Sequence, residues 1–297
     1  MRERLSSMRN VLEQAMRGEG GVDLHSHTTY SDGHWRPEDL VRDAASLGIR
    51  VLAVTDHDTV AGLDEAAEAA EKHGIALIPG IEVTLQHSES AYHLLCYDVD
   101  PQSEVWIELQ GERKRREQQY YRGVLQMIRD AGYMVQDEDV LREDGTFQAH
   151  PATGALRAAG YAESYESALA LLNSLKLRYP YELLAIDSGY LAEILPRDQA
   201  LCVIAHAGRA QPGVCVKATS RDVRELKERL PLVGLESFHP YHSAADVAHC
   251  VELCAEHGLG TTAGSDAHGW NVKRPPRPHP ADQSLRLLEM VRERWTR

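Results

Sequence analysis

The chain has 297 residues, of which 43% are hydrophobic and 26% are charged, and its formal net charge is −13 at pH 7. This composition is that of a folded globular protein, and the acidic charge argues against broad binding to nucleic-acid backbones, which relies on Lys and Arg. The sequence contains neither an apolar run of the roughly 20 residues that a membrane span needs nor the apolar core of a signal peptide, so we expect a cytoplasmic protein. The five cysteines show no Cys-x-x-Cys spacing and are expected to be buried, reduced thiols.

Strands and helices alternate over the first hundred residues. A short apolar run leads into His25 and His27. Pro79 and Gly80 are expected to interrupt a later strand, because proline cannot donate a backbone hydrogen bond within a sheet. Such alternation with short connections predicts a parallel α/β sheet or barrel. The predicted elements are helices at 37–47 and 60–73 and strands at 51–55, 75–78, 81–84 and 92–97.

The middle of the chain has a different character. A long charged helix is predicted at 104–131, and two shorter helices, separated at Gly160, occupy 151–175. We therefore expect a mainly helical insertion, or cap, at 101–195. The α/β pattern then returns with strands at 201–205 and 232–238 and helices at 221–230 and 243–258. The predicted organisation is a catalytic core at 21–100 and 196–280, with an N-terminal helix at 1–20 and a C-terminal helix at 281–297.

Candidate metal ligands lie where the predicted strands end. Residues i and i+2 of a strand point to the same face, so His25 and His27 would project together and could bind one ion. Because the C-terminal ends of parallel strands meet at one edge of a sheet, polar residues at other strand ends should join them. Those residues are His57, Glu82, His206, His239, His242, Asp266 and His268. The sequence therefore predicts a shared metal site.

Two further expectations concern residues around this site. Asp56 is expected to accept a hydrogen bond from a ligand imidazole. The remaining histidines outside the predicted site are expected at the surface, namely His34, His73, His87, His249, His257 and His279.

The ordered motifs of the chain resemble a known family. In chain order they are Asp23-Leu24-His25-Ser26-His27, Ser31-Asp32-Gly33, Thr55-Asp56-His57-Asp58, Gly80-Ile81-Glu82, His206-Ala207-Gly208-Arg209 and Gly264-Ser265-Asp266-Ala267-His268. Together they resemble the PHP (polymerase and histidinol phosphatase) family over about 21–100 and 196–270. Within that family, the chain is most similar to the bacterial nucleoside 3′,5′-bisphosphate phosphatases and 5′-to-3′ exoribonucleases.

The resemblance implies a distorted, TIM-like (β/α)7 barrel that holds two or three divalent ions, commonly Mn, Zn or Fe. Carried onto this sequence, the first ion would be held by His25, His27, Glu82 and Asp266. Glu82 would bridge to a second ion, which is also held by His93 and His206. The third ion would be held by Asp32, His57 and His268. The implied catalytic residues are Asp32, Glu82, Asp266 and His268. The set contains nitrogen and oxygen donors without thiolates, which suits these metals.

The implied reaction is the hydrolysis of nucleotide phosphomonoesters, such as nucleoside 3′,5′-bisphosphates or AMP, by a hydroxide that bridges two ions. Arg209, His239, His242 and His150 are the expected substrate-binding residues. Two positions depart from the pattern, because the branch often has proline at Ala207 and arginine at Gln148. A phosphate contact of that branch is therefore expected to be missing here or supplied from elsewhere.

Other readings of the sequence remain open. The chain could act as a 5′-3′ exonuclease on short RNA or DNA, with a short single strand as its partner, or as a histidinol-phosphate phosphatase. A non-enzymatic alternative is an accessory or sensor domain that metal ions stabilise. The expected partner in the first reading is a small phosphorylated compound, and no membrane association is expected. The sequence leaves the oligomeric state open.

Overall fold

The structure is a computed structural model that describes residues 2–143, 145, 147–148, 150–177, 183–211 and 215–296. The strands are β1 (Gly21–Asp23), β2 (Ile49–Val54), β3 (Ala76–His87), β4 (Ser90–Tyr97), β5 (Ile186–Asp187), β6 (Leu201–Ile204), β7 (Leu232–Phe238) and β8 (Gly260–Ala263). The helices are α1 (Arg2–Met16), α2 (Pro37–Ser46), α3 (Leu63–His73), α4 (Glu104–Asp130), α5 (Pro151–Ala158), α6 (Tyr165–Leu175), α7 (Ser188–Asp198), α8 (Ser220–Arg229), α9 (Ala244–His257) and α10 (Leu285–Arg294).

The chain divides into two compact units. The first unit comprises Met1–Leu109 and Ile186–Arg297, and the second comprises Gln110–Ala185. The described helices include none with the length and apolarity needed to cross a bilayer.

The first unit is an α/β structure around an eight-stranded, mostly parallel sheet. Its strand order is β1-β2-β3-β4-β6-β7-β8, and β5 pairs with β3. Only β4 runs antiparallel to both neighbours, β3 and β6. Beyond the ends of β1 and β8, the chain segments also pair: Leu24 N–H donates to Ala263 O at 3.2 Å and His27 N–H donates to Ala267 O at 2.9 Å. These hydrogen bonds bring the first and last strands of the order together.

Alternate residues of the strands form two apolar clusters on the two faces of this sheet, as the two-residue period of a strand requires. One cluster packs with α1 and α10 and includes Leu12, Val22, Val51, Ala53, Leu95, Val203 and Leu288. The other packs under α2, α3, α7, α8 and α9 and includes Leu40, Leu52, Leu77, Cys96, Leu195, Cys202 and Leu253. With both faces covered, the ends of the strands are the part of the sheet open to a ligand.

The second unit is mainly helical. Its core joins α4, α5 and α6 through Leu125, Ile128, Leu156 and Leu172, all of them buried. The capping of α6 explains where that helix begins, because the Ser164 hydroxyl accepts a hydrogen bond from the Ser167 backbone N–H. Gly160 has a φ of 79° after α5, which agrees with the predicted break between the two helices.

The structure corrects two details of the predicted elements. Pro79 and Gly80 do not interrupt β3, because they lie where this strand changes partners: Pro79 is opposite Val54 of β2, and Gly80 is opposite Tyr97 of β4. The loss of one N–H at that position is tolerated where one ladder ends and another begins. Helix α7 had not been predicted as a separate element, and it contains Pro196 near its C-terminal end.

The five cysteines are buried, free thiols, as the sequence predicted. The predicted surface position of His87 is wrong. This side chain is 3% exposed at the end of β3, between the Ser188 hydroxyl at 3.0 Å and a Glu225 carboxylate oxygen at 3.1 Å.

Candidate metal centre

The predicted ligands converge at one end of the sheet. His25 and His27 follow β1, His57 follows β2, His206 follows β6, and Asp266 and His268 follow β8, whereas Glu82 and His93 lie within β3 and β4. Backbone bridges pair Ser26 with Ala267 and His57 with Glu82, so the loops are in register with one another. The nine residues expected to bind metal are therefore brought together.

A first group of donor atoms surrounds the Nε2 atoms of His25 and His27, which lie 3.1 Å apart. A Glu82 carboxylate oxygen, Oε2, is 3.1 Å from the first nitrogen and 3.2 Å from the second. Asp266 Oδ1 is 3.6 Å and 3.2 Å from the same two nitrogens. Two imidazoles and two carboxylates thus face a common point, as the resemblance implied for the first ion.

A second group forms around the other oxygen of Glu82. Oε1 lies 3.0 Å from His93 Nδ1 and 3.3 Å from His206 Nε2, and these two nitrogens are 3.3 Å apart. Because Oε1 faces this group and Oε2 faces the first, each of the two groups has one oxygen of Glu82 among its donors.

A third group lies toward solvent. His268 Nε2 is 3.2 Å from Asp32 Oδ2, and His57 Nε2 is 4.0 Å from the same oxygen. The donors of His27, Asp32, His57 and His268 all lie within 4.8 Å of one another. The side chain of Asp32 is 57% exposed, so this group marks the open side of the centre.

The donor set fits divalent ions on an independent observation. Among the described residues, several buried polar atoms at this point have no hydrogen-bond partner, namely His27 Nδ1, His57 Nδ1, His206 Nδ1 and Glu82 Oε2. Buried polar atoms are almost always paired, and two of these unpaired atoms, His57 Nδ1 and Glu82 Oε2, lie 3.3 Å apart, so a cation among the donors would supply the missing partner. Imidazole nitrogens and carboxylate oxygens are donors that Mn, Fe and Zn accept.

Several ligands are in the protonation state that metal binding requires even without an ion, whereas burial at His25, His27 and His93 is outweighed by the neighbouring carboxylates, which raise the pKa of each imidazole. Burial lowers the pKa of His57 and the pKa of His206, each to about 4, so both imidazoles are neutral at pH 7. Burial alone would raise the pKa of Glu82, but the neighbouring histidines hold it well below its usual value. Burial would likewise raise the pKa of Asp266, and His25 and other cations outweigh it. The carboxylates are therefore ionised and available as ligands.

Three buried aspartates fix the loops that carry the ligands. Asp23 accepts hydrogen bonds from the Ser265 backbone N–H at 2.8 Å and from its hydroxyl at 2.5 Å. Asp58 accepts from the Thr84 N–H and hydroxyl, both at 2.9 Å. Each bond ties the end of one strand to a neighbouring loop.

Asp56 is the third of these loop-fixing aspartates. It accepts from the Thr28 N–H and hydroxyl at 2.7 and 2.6 Å and from the Ser31 hydroxyl at 2.6 Å. The expectation that it accepts from a ligand imidazole is therefore wrong. Its oxygens are taken by the loop that leads to Asp32.

Glu236, which sequence reasoning missed, has that role instead. This residue of β7 is 1% exposed, and its two oxygens lie 3.1 and 3.2 Å from His25 Nδ1. It also accepts a hydrogen bond from the His206 backbone N–H at 2.6 Å. A buried carboxylate that fixes a ligand imidazole sets its tautomer and raises its basicity. A glutamate inside the apolar strand sequence Leu232–Phe238 was a signal that could have revealed it.

The expected substrate-binding residues have different surroundings. Arg209 Nη1 is 3.9 Å and His239 Nε2 is 3.4 Å from Asp266 Oδ2, so both adjoin the centre. His242 Nδ1 donates to Ser237 O at 2.8 Å, and its Nε2 accepts from the Gly208 N–H at 3.2 Å. Since backbone groups occupy both ring nitrogens, we assign His242 no contact with substrate. His150 lies in the second unit, at the N-terminus of α5.

Arg274 is a second functional candidate that the sequence did not reveal, since it begins a Pro-rich stretch and belongs to none of the motifs. It closes a short hairpin whose ends, Gly269 and Arg274, pair with each other. Its guanidinium contacts Asp266 Oδ2. Tyr241, 53% exposed, lies against it.

Comparisons with known proteins agree with the family resemblance of the sequence motifs. The PHP domain family matches residues 23–176. A phosphoribosyl 1,2-cyclic phosphate 1,2-diphosphodiesterase of Eggerthella lenta is 33% identical over 254 residues, which are 83% of this chain and 94% of the relative. The 5′-3′ exoribonuclease Rnm of Escherichia coli is 27% identical, covering 83% of this chain and 84% of the relative. A 3′,5′-nucleoside bisphosphate phosphatase of Chromobacterium violaceum is 26% identical, covering 83% and 87%.

Solved structures share the fold. A candidate metal-dependent phosphoesterase of Bifidobacterium adolescentis superposes with a TM-score of 0.70 at 26% identity, covering 92% of this chain and 96% of its own. An amidohydrolase of Chromobacterium violaceum, solved with bound sulfate, superposes with a TM-score of 0.66 at 22% identity, covering 91% and 96%. The second likeness concerns the fold alone.

Proposed function

We propose that this chain, which belongs to the PHP domain family and is a metal-dependent phosphoesterase, hydrolyses a phosphomonoester of a small nucleotide, with nucleoside 3′,5′-bisphosphates as the foremost candidates. The observation that carries the proposal is the position of Glu82 between two groups of donors, with its oxygens within 3.3 Å of five imidazole nitrogens. We propose two or three ions there, of Mn, Fe or Zn.

The substrate class rests on the relatives. The bisphosphate phosphatase acts on a nucleoside with two phosphates, the cyclic phosphodiesterase is named for a phosphoribosyl cyclic phosphate, and the exoribonuclease acts on RNA. By these names, the substrates share a ribose and more than one phosphate. A nucleoside bisphosphate is a small compound with both features.

The residues of the chain divide the work of hydrolysis. When bound, divalent ions supply positive charge to the phosphate oxygens and lower the pKa of water, so that a nucleophile forms near neutral pH. Glu82, His25 and His206 supply donor atoms on the buried side of the centre. Asp32 is exposed, so the opposite side is open to substrate. Arg209 is partly exposed, and its guanidinium can donate two hydrogen bonds to a phosphate.

A second candidate substrate is a ribose cyclic phosphate. It is favoured by the 33% identity to the cyclic phosphodiesterase of Eggerthella lenta, which extends over 94% of that protein. Attack on a cyclic diester requires the same donor groups as attack on a monoester, and it leaves an alcohol on the same ribose. The two candidates therefore need the same site and differ in the shape of the substrate.

A panel of substrates tests the proposal. The purified protein, loaded separately with Mn, Zn and Fe(II), is incubated with adenosine 3′,5′-bisphosphate, AMP, a ribose 1,2-cyclic 5-phosphate, histidinol phosphate and a short 5′-phosphorylated RNA. We expect phosphate release from the bisphosphate to be the fastest of these reactions. Faster ring opening of the cyclic phosphate would favour the second candidate, and no turnover with metal bound would refute both.

A pair of matched variants ties the activity to the centre. Glu82→Gln should abolish turnover and reduce the number of bound ions, because the bridging carboxylate loses its charge. Glu225→Gln makes the same chemical change on α8, where Glu225 contacts His87 outside the centre, and it should retain activity. Equal activity of the two variants would contradict the assignment.

A further inference from the structure

Three side chains from three different loops meet beside the metal centre. Arg209 follows β6, Tyr241 follows β7, and Arg274 closes the hairpin after β8. The guanidinium carbons of Arg209 and Arg274 lie 4.9 and 5.8 Å from the centre of the Tyr241 ring. We call these three residues the arginine–tyrosine cluster. Its members come together only through the fold, since the sequence separates them by more than thirty residues at each step.

Asp266 divides this cluster from the histidine ligands. Its Oδ1 atom is 3.2 Å from His27 Nε2, on the side of the first donor group. Its Oδ2 atom is contacted by Arg274 and lies 3.9 Å from Arg209 Nη1. The two carboxylate oxygens thus face different partners. An anion held by both guanidinium groups would lie next to the phosphate at the ions and would not displace the histidines.

The cluster carries more positive charge than its protein partners neutralise. Two guanidinium groups share one carboxylate oxygen, and the same carboxylate also faces His25, His27 and His239. Among the described residues, the buried Nε atom of Arg274 has no hydrogen-bond partner. Two like charges held close together repel each other, and the single carboxylate of Asp266 does not offset both. A phosphate would accept from both forks and reduce this repulsion.

The cluster is also accessible. The side chains of Arg209 and Arg274 are 26% and 24% exposed, and Tyr241 is 53% exposed although it lies between two cations. Its ring centre is 5.5 Å from that of His239, which adjoins Asp266. The exposed ring holds the two guanidinium groups at the mouth of the centre by cation–π contacts.

We propose that the arginine–tyrosine cluster binds a second phosphate of the substrate, the one that is not hydrolysed. Arg274 and Arg209 contact its oxygens, and Tyr241 positions the two guanidinium groups. This inference rests on the proposed function, and it makes the cluster the determinant that distinguishes compounds with two phosphates from those with one.

The experiment compares substrates within each variant. Initial rates are measured on adenosine 3′,5′-bisphosphate and on adenosine 3′- and 5′-monophosphate, with bound metal quantified in every preparation. The variants are Arg274→Gln, Arg274→Lys and Tyr241→Leu. Lys273→Asn is the matched control, because it removes a cation from the neighbouring position of the same hairpin, and asparagine tolerates the φ of 59° found there.

We expect Arg274→Gln to lower kcat/KM for the bisphosphate by about 10- to 100-fold, mainly through KM, since a charge-assisted contact made in the ground state is lost. The loss should be at least about tenfold larger than that on the better monophosphate substrate. Arg274→Lys should restore part of the affinity because it keeps the charge without the fork. Tyr241→Leu should raise KM in the same direction, and Lys273→Asn should match the unaltered protein.

Two results would overturn the inference while leaving the proposed function intact. One is an equal loss on bisphosphate and monophosphate in Arg274→Gln. The other is a loss that follows the bound metal content, which would mean that Arg274 only supports Asp266. Failure of the unaltered, metal-loaded protein to hydrolyse any member of the set would instead overturn the proposed function itself.

Discussion

Replacing Glu236 by Gln tests how the buried carboxylate supports the metal centre. Both oxygens of Glu236 lie within 3.2 Å of His25 Nδ1, and one of them also accepts the His206 N–H at 2.6 Å. Glutamine has nearly the same shape but is neutral, and one of its oxygens is replaced by an NH₂ group. With the amide oxygen at the position of Oε2, the His206 N–H keeps its acceptor, but the NH₂ group then takes the position of Oε1, 3.1 Å from His25 Nδ1, and the charge-assisted contact with this imidazole is lost.

The magnitude follows from the bond that is lost. A hydrogen bond to a charged group contributes about 1.5–3 kcal/mol, which corresponds to roughly 10- to 150-fold in an equilibrium constant. If the bond to His25 is lost, the imidazole becomes a weaker and less well oriented ligand. We therefore expect Glu236→Gln to weaken metal binding by a factor in this range, which agrees with the 10- to 100-fold typical of residues that orient metal ligands.

The assay is competition with a chelator, combined with turnover at saturating metal. Ser237→Ala is the matched control, because this buried neighbour on β7 contacts Leu235 O and Cys254 Sγ and none of the ligands through its side chain. The control should bind metal as the unaltered protein does. If Glu236→Gln binds metal within twofold of the control, the assignment of Glu236 as the support of His25 is refuted.

Three further predictions use the same centre and the core. Burial alone would lower the pKa of His27, but hydrogen bonds to neighbouring carboxylates raise it to about 9 in the ion-free site. Because metal must displace this proton, calorimetry in buffers of different ionisation enthalpy should show proton release at pH 7. The affinity for metal should increase up to about pH 9. A pH-independent affinity would contradict this. Gly264→Ala should lower metal content and thermal stability, because a Cβ atom there would lie 2.4 Å from the His25 Cβ. The control is Gly111→Ala in α4, where an added Cβ would meet no atom within 4 Å. This control should be neutral or should stabilise the protein by up to about 1 kcal/mol in chemical denaturation. Burial raises the pKa of Cys250 to about 12, so thiol reagents at pH 8 should label it only after unfolding, as followed by mass spectrometry. Rapid labelling of the native protein would contradict this prediction.

The sequence revealed the ligands better than their supports. His25, His57 and Asp266 each follow an apolar strand run, and metal-ligand residue types that recur at the ends of several parallel strands indicate a shared site. Glu236 lies inside a strand, so its role depends on which residue stands opposite it across the sheet. That pairing is a property of the assembled fold, which local pattern cannot supply.

The secondary-structure elements were likewise predicted well where the local sequence decides and less well where the assembled fold decides. Strand β7 was predicted with its observed bounds, since its apolar run is flanked by turn residues on both sides. Pro79 misled the prediction of β3, because the cost of a proline depends on whether its missing N–H would have had a partner. Arg274 was missed for a similar reason: its contact with Asp266 depends on the pairing of Gly269 with Arg274, which closes the hairpin.

The antiparallel strand explains why one ligand escaped the rule that ligands follow strands. The ligands of β1, β2, β6 and β8 follow the C-terminal ends of these strands, and Glu82 lies beyond the part of β3 that pairs in parallel with β2. Strand β4 runs the other way, so the residue it brings to that end lies in its N-terminal half. That residue is His93, opposite Thr84 of β3, and its carbonyl accepts the Ala205 N–H at 2.9 Å. Hydrogen-bonded strands flank it on both sides. Its backbone is therefore fixed by the sheet itself, without a loop, and its imidazole lies 3.0 Å from an oxygen of Glu82 on the adjacent strand.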